Sequence, residues 1–141
     1  MPIRLIVVDD EPKIREAWKA LVATTDDIVT SASLASADRL CDEVRTLQSD
    51  VVLLDLKMPG KDPLVALAET IAARPDTRVV VYTALTDVRL RRMAIEAGAC
   101  AYADKLDDLS TVLDTIRRVA RTPAATGQRP NQPDAGSRPK G

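Results

Sequence analysis

Five side chains carry the chemistry of this sequence, and each follows a run of strand-forming residues. Asp9 and Asp10 follow Ile3-Arg4-Leu5-Ile6-Val7-Val8, and Asp55 follows Val51-Val52-Leu53-Leu54. Thr83 follows Val79-Val80-Val81-Tyr82, and Lys105 follows Cys100-Ala101-Tyr102-Ala103-Asp104. A buried strand that finishes on a carboxylate places it at the carboxyl edge of the sheet, where open α/β folds keep their binding crevices. The four strand ends therefore deliver three carboxylates, one hydroxyl and one ammonium to a single rim.

That set suits the holding of a divalent cation and a phosphoryl group. Carboxylates crowded together repel by ~4 kcal/mol per pair at a separation of about 4 Å and an effective dielectric near 20. A hard cation such as Mg²⁺ removes this cost, binding carboxylate, water and phosphate oxygens. Lys105 is a point charge for a phosphoryl oxygen, Thr83 is a hydrogen-bond donor, and a carboxylate can act as the nucleophile that forms an acyl phosphate.

The elements that must position these groups alternate five times between strand and helix. The first helix follows Pro12, with Ile14, Ala17, Trp18, Leu21 and Val22 at helical spacing. A short strand lies near Ile28 to Ser31. Ser36 is a candidate cap for a second helix with Ala37, Leu40, Cys41, Val44 and Leu47 on its apolar stripe. Asp62 and Pro63 take the N-cap and first helical positions of a third helix, with the stripe Leu64, Leu67, Ala68 and Ile71. A fourth carries Leu90, Met93, Ala94 and Ala97 and stops at Gly98. A fifth, capped by Asp107 or Asp108, buries Leu109, Val112, Leu113, Ile116 and Ala120. Such alternation predicts an α/β fold with a parallel sheet, right-handed crossovers and helices on both faces.

Composition narrows the function. The 141 residues suit one domain, and a formal net charge of −1 supplies no global attraction for nucleic acid or an anionic membrane. There is no basic n-region before an apolar stretch and no apolar run long enough to span a bilayer, so a cytoplasmic location is expected. With no histidine and no Cys-x-x-Cys, a zinc site is not expected, and Cys41 and Cys100 read as buried thiols. Residues 122–141 hold four of the nine prolines and three of the five glycines, which predicts a disordered tail after a folded unit of residues 1–121.

Asp9-Asp10, Asp55 with Met58-Pro59-Gly60, Thr83-Ala84 and Lys105, in that order at successive strand ends, resemble the receiver domain of bacterial two-component response regulators. The resemblance spans about residues 3 to 121. It implies a (βα)5 flavodoxin-like three-layer fold with sheet order 2-1-3-4-5, and Asp55 as the phosphoacceptor. It also implies Mg²⁺ held by Asp10, Asp55 and the backbone carbonyl of Lys57, with Asp9 acting largely through water. Thr83 and Lys105 would contact the phosphoryl group, and Tyr102 would stand at the switch-aromatic position. A histidine kinase or phosphotransfer protein would be the donor, and a small acyl phosphate could replace it. The face around the fourth helix, with Arg89, Arg91 and Arg92, would meet a downstream effector or a second copy of the chain. The chain would catalyse only its own phosphorylation and dephosphorylation.

Two positions tune phosphate lifetime in that family, and Lys57 and Leu85 stand there. Neither can orient a hydrolytic water, so a slowly hydrolysed phosphoryl group is expected. Leu106 replaces the proline that many relatives place after the lysine, and the pattern around Ala97 to Tyr102 is more like receivers of helix-turn-helix regulators. No output-domain pattern follows Thr122, which leaves a stand-alone receiver or a shortened regulator. The alternative is a dehalogenase-like aspartyl-phosphate phosphohydrolase or phosphotransferase. That family places an Asp-x-Asp pattern after its first strand, whereas here Asp9 and Asp10 are adjacent.

Overall fold

The computed structural model describes residues 1–84 and 87–122. Along them run β1 (Ile3–Val8), α1 (Pro12–Val22), β2 (Ile28–Leu34), α2 (Leu40–Leu47), β3 (Val51–Leu54), α3 (Pro63–Ala73), β4 (Arg78–Thr83), α4 (Val88–Glu96), β5 (Ala101–Asp104) and α5 (Leu109–Arg121). All strand pairs are parallel and the order is β2-β1-β3-β4-β5, the flavodoxin-like arrangement. Leu85 and residues 123–141 lie outside the described residues, and with them the expectations of a role in phosphate lifetime and of a disordered tail.

Side chains of the strands alternate between two cores, as the two-residue period requires. Leu5, Val7, Leu53 and Val80 point to one face, where Trp18 and Val22 of α1 and Val112, Ile116 and Val119 of α5 cover them. Ile6, Val8, Val52, Leu54, Val79 and Val81 point to the other, under Leu40 and Val44 of α2, Ala66 and Leu67 of α3 and Ala94 of α4. The central strands β1, β3 and β4 are thus apolar on both faces, which explains their unbroken Val/Ile/Leu runs.

Register sets the level of the site. Val8 pairs with Leu54 and Leu54 with Val81, so Asp9 and Asp55 leave adjacent strands at the same height. Thr83 pairs with Asp104, so Lys105 follows one residue later on β5. Asp62 caps α3 as expected, its Oδ1 accepting the Leu64 N–H at 2.9 Å, and α4 has a cap of the same kind, Asp87 Oδ1 accepting the Arg89 N–H at 2.9 Å. Gly98 ends α4 at φ +118°, and a Cβ there would stand 2.9 Å from Ile71 Cγ1, so both backbone and space select glycine.

Several local expectations need correction. Strand β2 continues to Leu34 instead of stopping near Ser31, because a bulge there lets pairing resume: Leu5 faces Thr30 and Ile6 faces Ala32. Ser36 does not cap α2; its Oγ accepts the Asp38 N–H at 3.3 Å in a turn, and the helix begins at Leu40. Asp108 is the N-cap of α5 but makes no side-chain cap bond, and Asp107 instead turns its Oδ2 to the Asp104 N–H at 3.2 Å. The helical stripes are narrower than their spacing suggests. Ala17, Ala68 and Met93 are exposed, whereas Thr70 and Val119 are buried, since each helix presents only a narrow line to the sheet. Cys41 is half-buried and Cys100 is exposed, the latter because Ala99 takes the inward position beside it.

Candidate functional site

Three carboxylates converge where β1 and β3 end. Asp9, Asp10 and Asp55 each offer an oxygen within 4.8 Å of the others. Asp9 and Asp55 are almost fully buried, at 1% and 2% exposure, while Asp10 faces solvent. The loops that carry them are pinned by local bonds: the Glu11 N–H donates to Asp9 Oδ1 at 2.9 Å, and the Lys57 N–H donates to Asp55 Oδ1 at 3.0 Å. These Asx-type turns fold the chain back on its own carboxylate immediately after the strand.

Lys105 reaches this pair from the end of β5. Its Nζ lies 2.8 Å from Asp9 Oδ2, 3.1 Å from Asp55 Oδ2 and 3.9 Å from the more exposed Glu11 carboxylate. The bond to Asp55 is a well-formed hydrogen bond. The approach to Asp9 Oδ2 is an ion pair outside hydrogen-bond geometry, which leaves that buried oxygen with no hydrogen bond. Beneath the lysine is the Tyr82 ring, its centroid 5.8 Å from Nζ, packed edge-on against buried Trp18.

The charges do not balance. Burial pushes the Asp55 carboxyl above the usual carboxylate range, against the opposing pull of the Lys57 N–H and Lys105, and the charge of Asp9 raises it further. Burial alone would lower the Lys105 ammonium, but the close Asp9 and Asp55 carboxylates outweigh it and leave it raised. Of the three close carboxylates, Asp9 and Asp55 share one ammonium and Asp10 has none within ion-pair distance among the described residues. Two buried carboxylates that share one ammonium, beside a third that is exposed, are a donor set that fits a hard, oxygen-seeking divalent cation.

The remaining sequence candidates stand at different distances from this centre. Thr83 is buried at the end of β4 and joined to the lysine through the main chain, its carbonyl accepting the Lys105 N–H at 3.3 Å. Lys57 contributes its N–H to Asp55 while its side chain is exposed. Tyr102 is not part of the cluster. It is half-buried on β5 opposite Val81, with the Arg91 guanidinium of α4 4.4 Å above its ring. Leu106 is 85% exposed, and its N–H, which a proline would lack, donates to Asp104 Oδ1 at 2.8 Å. Two participants escaped the sequence reading. Glu11 extends the acidic run Asp9-Asp10, a signal that was available. Arg15 donates from Nη1 to the Asp9 carbonyl at 2.7 Å, a contact for which helical spacing gives no sign.

Comparison with known proteins points the same way. Residues 5–117 match the family model described as "Response regulator receiver domain". The response regulator GacA of Pseudomonas viridiflava is 32% identical over 117 residues, which cover 83% of this chain and 55% of that protein. The uncharacterized transcriptional regulatory protein YhcZ of Bacillus subtilis is 31% identical over 100 residues, covering 71% and 47%. The chain spans about half the length of these curated relatives. Among solved structures, a LuxR-family two-component response regulator from Aurantimonas sp. SI85-9A1 superposes with a TM-score of 0.79 at 25% identity, over 85% of this chain and 86% of that one. The response regulator domain of Thermotoga maritima CheB shares the fold, with a TM-score of 0.79 at 22% identity, over 86% and 98%.

Proposed function

Since the chain belongs to the response regulator receiver family, we propose that Asp55 is its phosphoacceptor and that residues 1–121 form the receiver unit. In the transfer, an Asp55 carboxylate oxygen attacks the phosphorus of a phosphohistidine or a small acyl phosphate. The new O–P bond forms as the bond to the donor nitrogen or oxygen breaks, and the electron pair leaves with the donor. Asp9, Asp10, Asp55 and the carbonyl of Lys57 would hold Mg²⁺. When bound, the ion neutralises carboxylate and phosphoryl oxygens that would otherwise repel.

The observation that carries this reading is the buried Asp55 carboxylate, which shares the Lys105 ammonium with Asp9 and has a raised pKa. Lys105 already sits 3.1 Å from Asp55 and can exchange that oxygen for a phosphoryl oxygen without changing strand. Thr83, tied to the Lys105 main chain, supplies a second donor, and Tyr102 on the neighbouring strand follows it. The result is a population shift of the face around α4, β5 and α5, driven by contacts that exist only with phosphate present.

The donor is a histidine kinase or phosphotransfer protein in the cytoplasm. The reader is a downstream effector or a second copy of the chain rather than nucleic acid or a membrane; among the described residues no helix is long and apolar enough to cross a membrane. Family membership displaces the dehalogenase-like alternative. The test is labelling by an acyl phosphate with Mg²⁺, followed by intact mass. The unmodified chain should take up one phosphoryl group and Asp55→Asn none; retention of stoichiometric labelling by that variant would refute the assignment.

A further inference from the structure

Asp10 differs from the other two carboxylates in how it is held. Asp9 and Asp55 are buried and fixed by turn hydrogen bonds and Lys105. The Asp10 side chain is exposed, and no hydrogen bond or ion pair involves it among the described residues. The position from which it reaches the cluster is therefore set by the main chain alone. The controlling unit is the Asp9–Asp10 peptide, whose planarity ties the direction of the Asp9 carbonyl to the Asp10 nitrogen and Cα.

Two contacts orient that unit. The Asp9 N–H donates to the Leu34 carbonyl at 3.0 Å, continuing the β1–β2 ladder by one residue. The Asp9 carbonyl accepts from Arg15 Nη1 at 2.7 Å. Arg15 lies in the first turns of α1, beside Pro12, Glu16, Lys19 and Ser33, so the helix that follows the loop reaches back to clamp it.

We infer that Arg15 is a positioning residue that fixes the Asp9–Asp10 peptide plane and thereby holds Asp10 where its carboxylate reaches the divalent cation. The inference rests on the cation-site reading given above. It is separable from mere charge, because the two effects have opposite signs. A guanidinium near a cation site repels the cation, so its removal should tighten binding roughly twofold if charge were all that mattered. Removal of a group that orients a metal ligand should instead weaken binding, on the order of tenfold.

The experiment is calorimetric titration of the whole chain with Mg²⁺, with thermal melts alongside. Arg15→Met keeps the apolar stem and should lose affinity on the order of tenfold with little change in Tm. Arg15→Lys keeps a donor of the same charge and should fall between the two. Unchanged or tighter binding by Arg15→Met would overturn the inference. So would a lysine variant no better than methionine, or a loss of affinity matched by a large fall in Tm. Asp10→Ala separates the two readings. If it leaves Mg²⁺ affinity intact, the cation site itself is misread. If it weakens binding while Arg15→Met does not, only the role of Arg15 fails.

Discussion

The two edges of the sheet treat charge in opposite ways. At the amino edge, the main charged side chains meet partners within the chain. Arg117 grips Asp27 through Nε at 2.8 Å and Nη2 at 3.1 Å. Asp50 accepts the Arg4 N–H at 2.8 Å, and Arg74 donates to the Ser49 carbonyl at 2.6 Å and to Thr77 Oγ1 at 2.9 Å. At the carboxyl edge, two buried carboxylates share one lysine while Asp10 and Glu11 add more negative charge. The amino edge joins strands and helices and asks nothing of a ligand. The carboxyl edge stays short of positive charge, and the fold bears that strain because a cation and a phosphoryl group can relieve it.

The sharpest way to break this comparison is to remove the one ammonium at the carboxyl edge. Lys105→Met leaves Asp9 and Asp55 buried without a counter-charge, which should cost about 3 kcal/mol at neutral pH, the scale for breaking a buried ion pair. Urea melts measure it. As pH falls into the carboxylate range the variant should recover, because protonation removes the unpaired charges. Mg²⁺ should also restore part of the loss, since it binds the folded site and not the unfolded chain. A loss no larger than that of a surface substitution would mean that the two edges do not differ.

Removing a carboxylate from the same edge should have the opposite sign. Asp55 has a folded-state pKa above its ordinary value of 3.8, chiefly because it is desolvated. A raised carboxyl favours folding below that ordinary value, and the benefit disappears as pH rises through the folded pKa, so ionised Asp55 weakens the fold at neutral pH. Asp55→Asn should therefore melt higher than the unmodified chain near pH 7. The gap should close as the pH drops below about 3.8, where both forms are neutral. A variant that melts lower at neutral pH would mean that the bond to Lys105 outweighs the cost of burial.

These contrasts show which parts of the molecule are legible in a sequence. The strand ends are, because short apolar runs such as Val51 to Leu54, alternating with helical stripes, read as doubly covered strands and place the next residue on the rim. The cap at Asp62-Pro63 is legible too, since it depends on two adjacent residues. What escapes depends on distant geometry. The bulge that lengthens β2 lies in its pairing with β1, and the exposure of Met93 depends on how α4 sits over the sheet. The clamp from Arg15 to the Asp9 carbonyl depends on a single side-chain conformation, and Tyr102 has its partner Arg91 on another element. Of the candidate site, the residues could be named in advance. That Asp9 would be buried, Asp10 exposed and Lys105 shared could not, because burial is a property of the packed fold.

The smallest effect is expected at the amino edge, and it serves as the control for the others. Hydrogen bonds from Arg117 hold the Asp27 carboxyl below its ordinary 3.8, with burial opposing and the Arg117 charge helping. A lowered carboxyl contributes stability above its unfolded pKa and loses it as pH falls through the folded value. Asp27 and Arg117 are both only half-buried, so water and salt screen the pair. Arg117→Met should thus cause a small drop in Tm at neutral pH and low salt. That drop should vanish in strong acid, where Asp27 is neutral, and shrink near 1 M salt, where the screening length falls to about 3 Å. Mg²⁺ should not alter it. The defect of Lys105→Met, by contrast, should persist in salt because its charges are buried, and it should respond to Mg²⁺. If the Arg117 defect resists salt as stubbornly as the Lys105 defect, the amino edge is not the screened, self-sufficient side of the sheet, and the contrast between the edges fails.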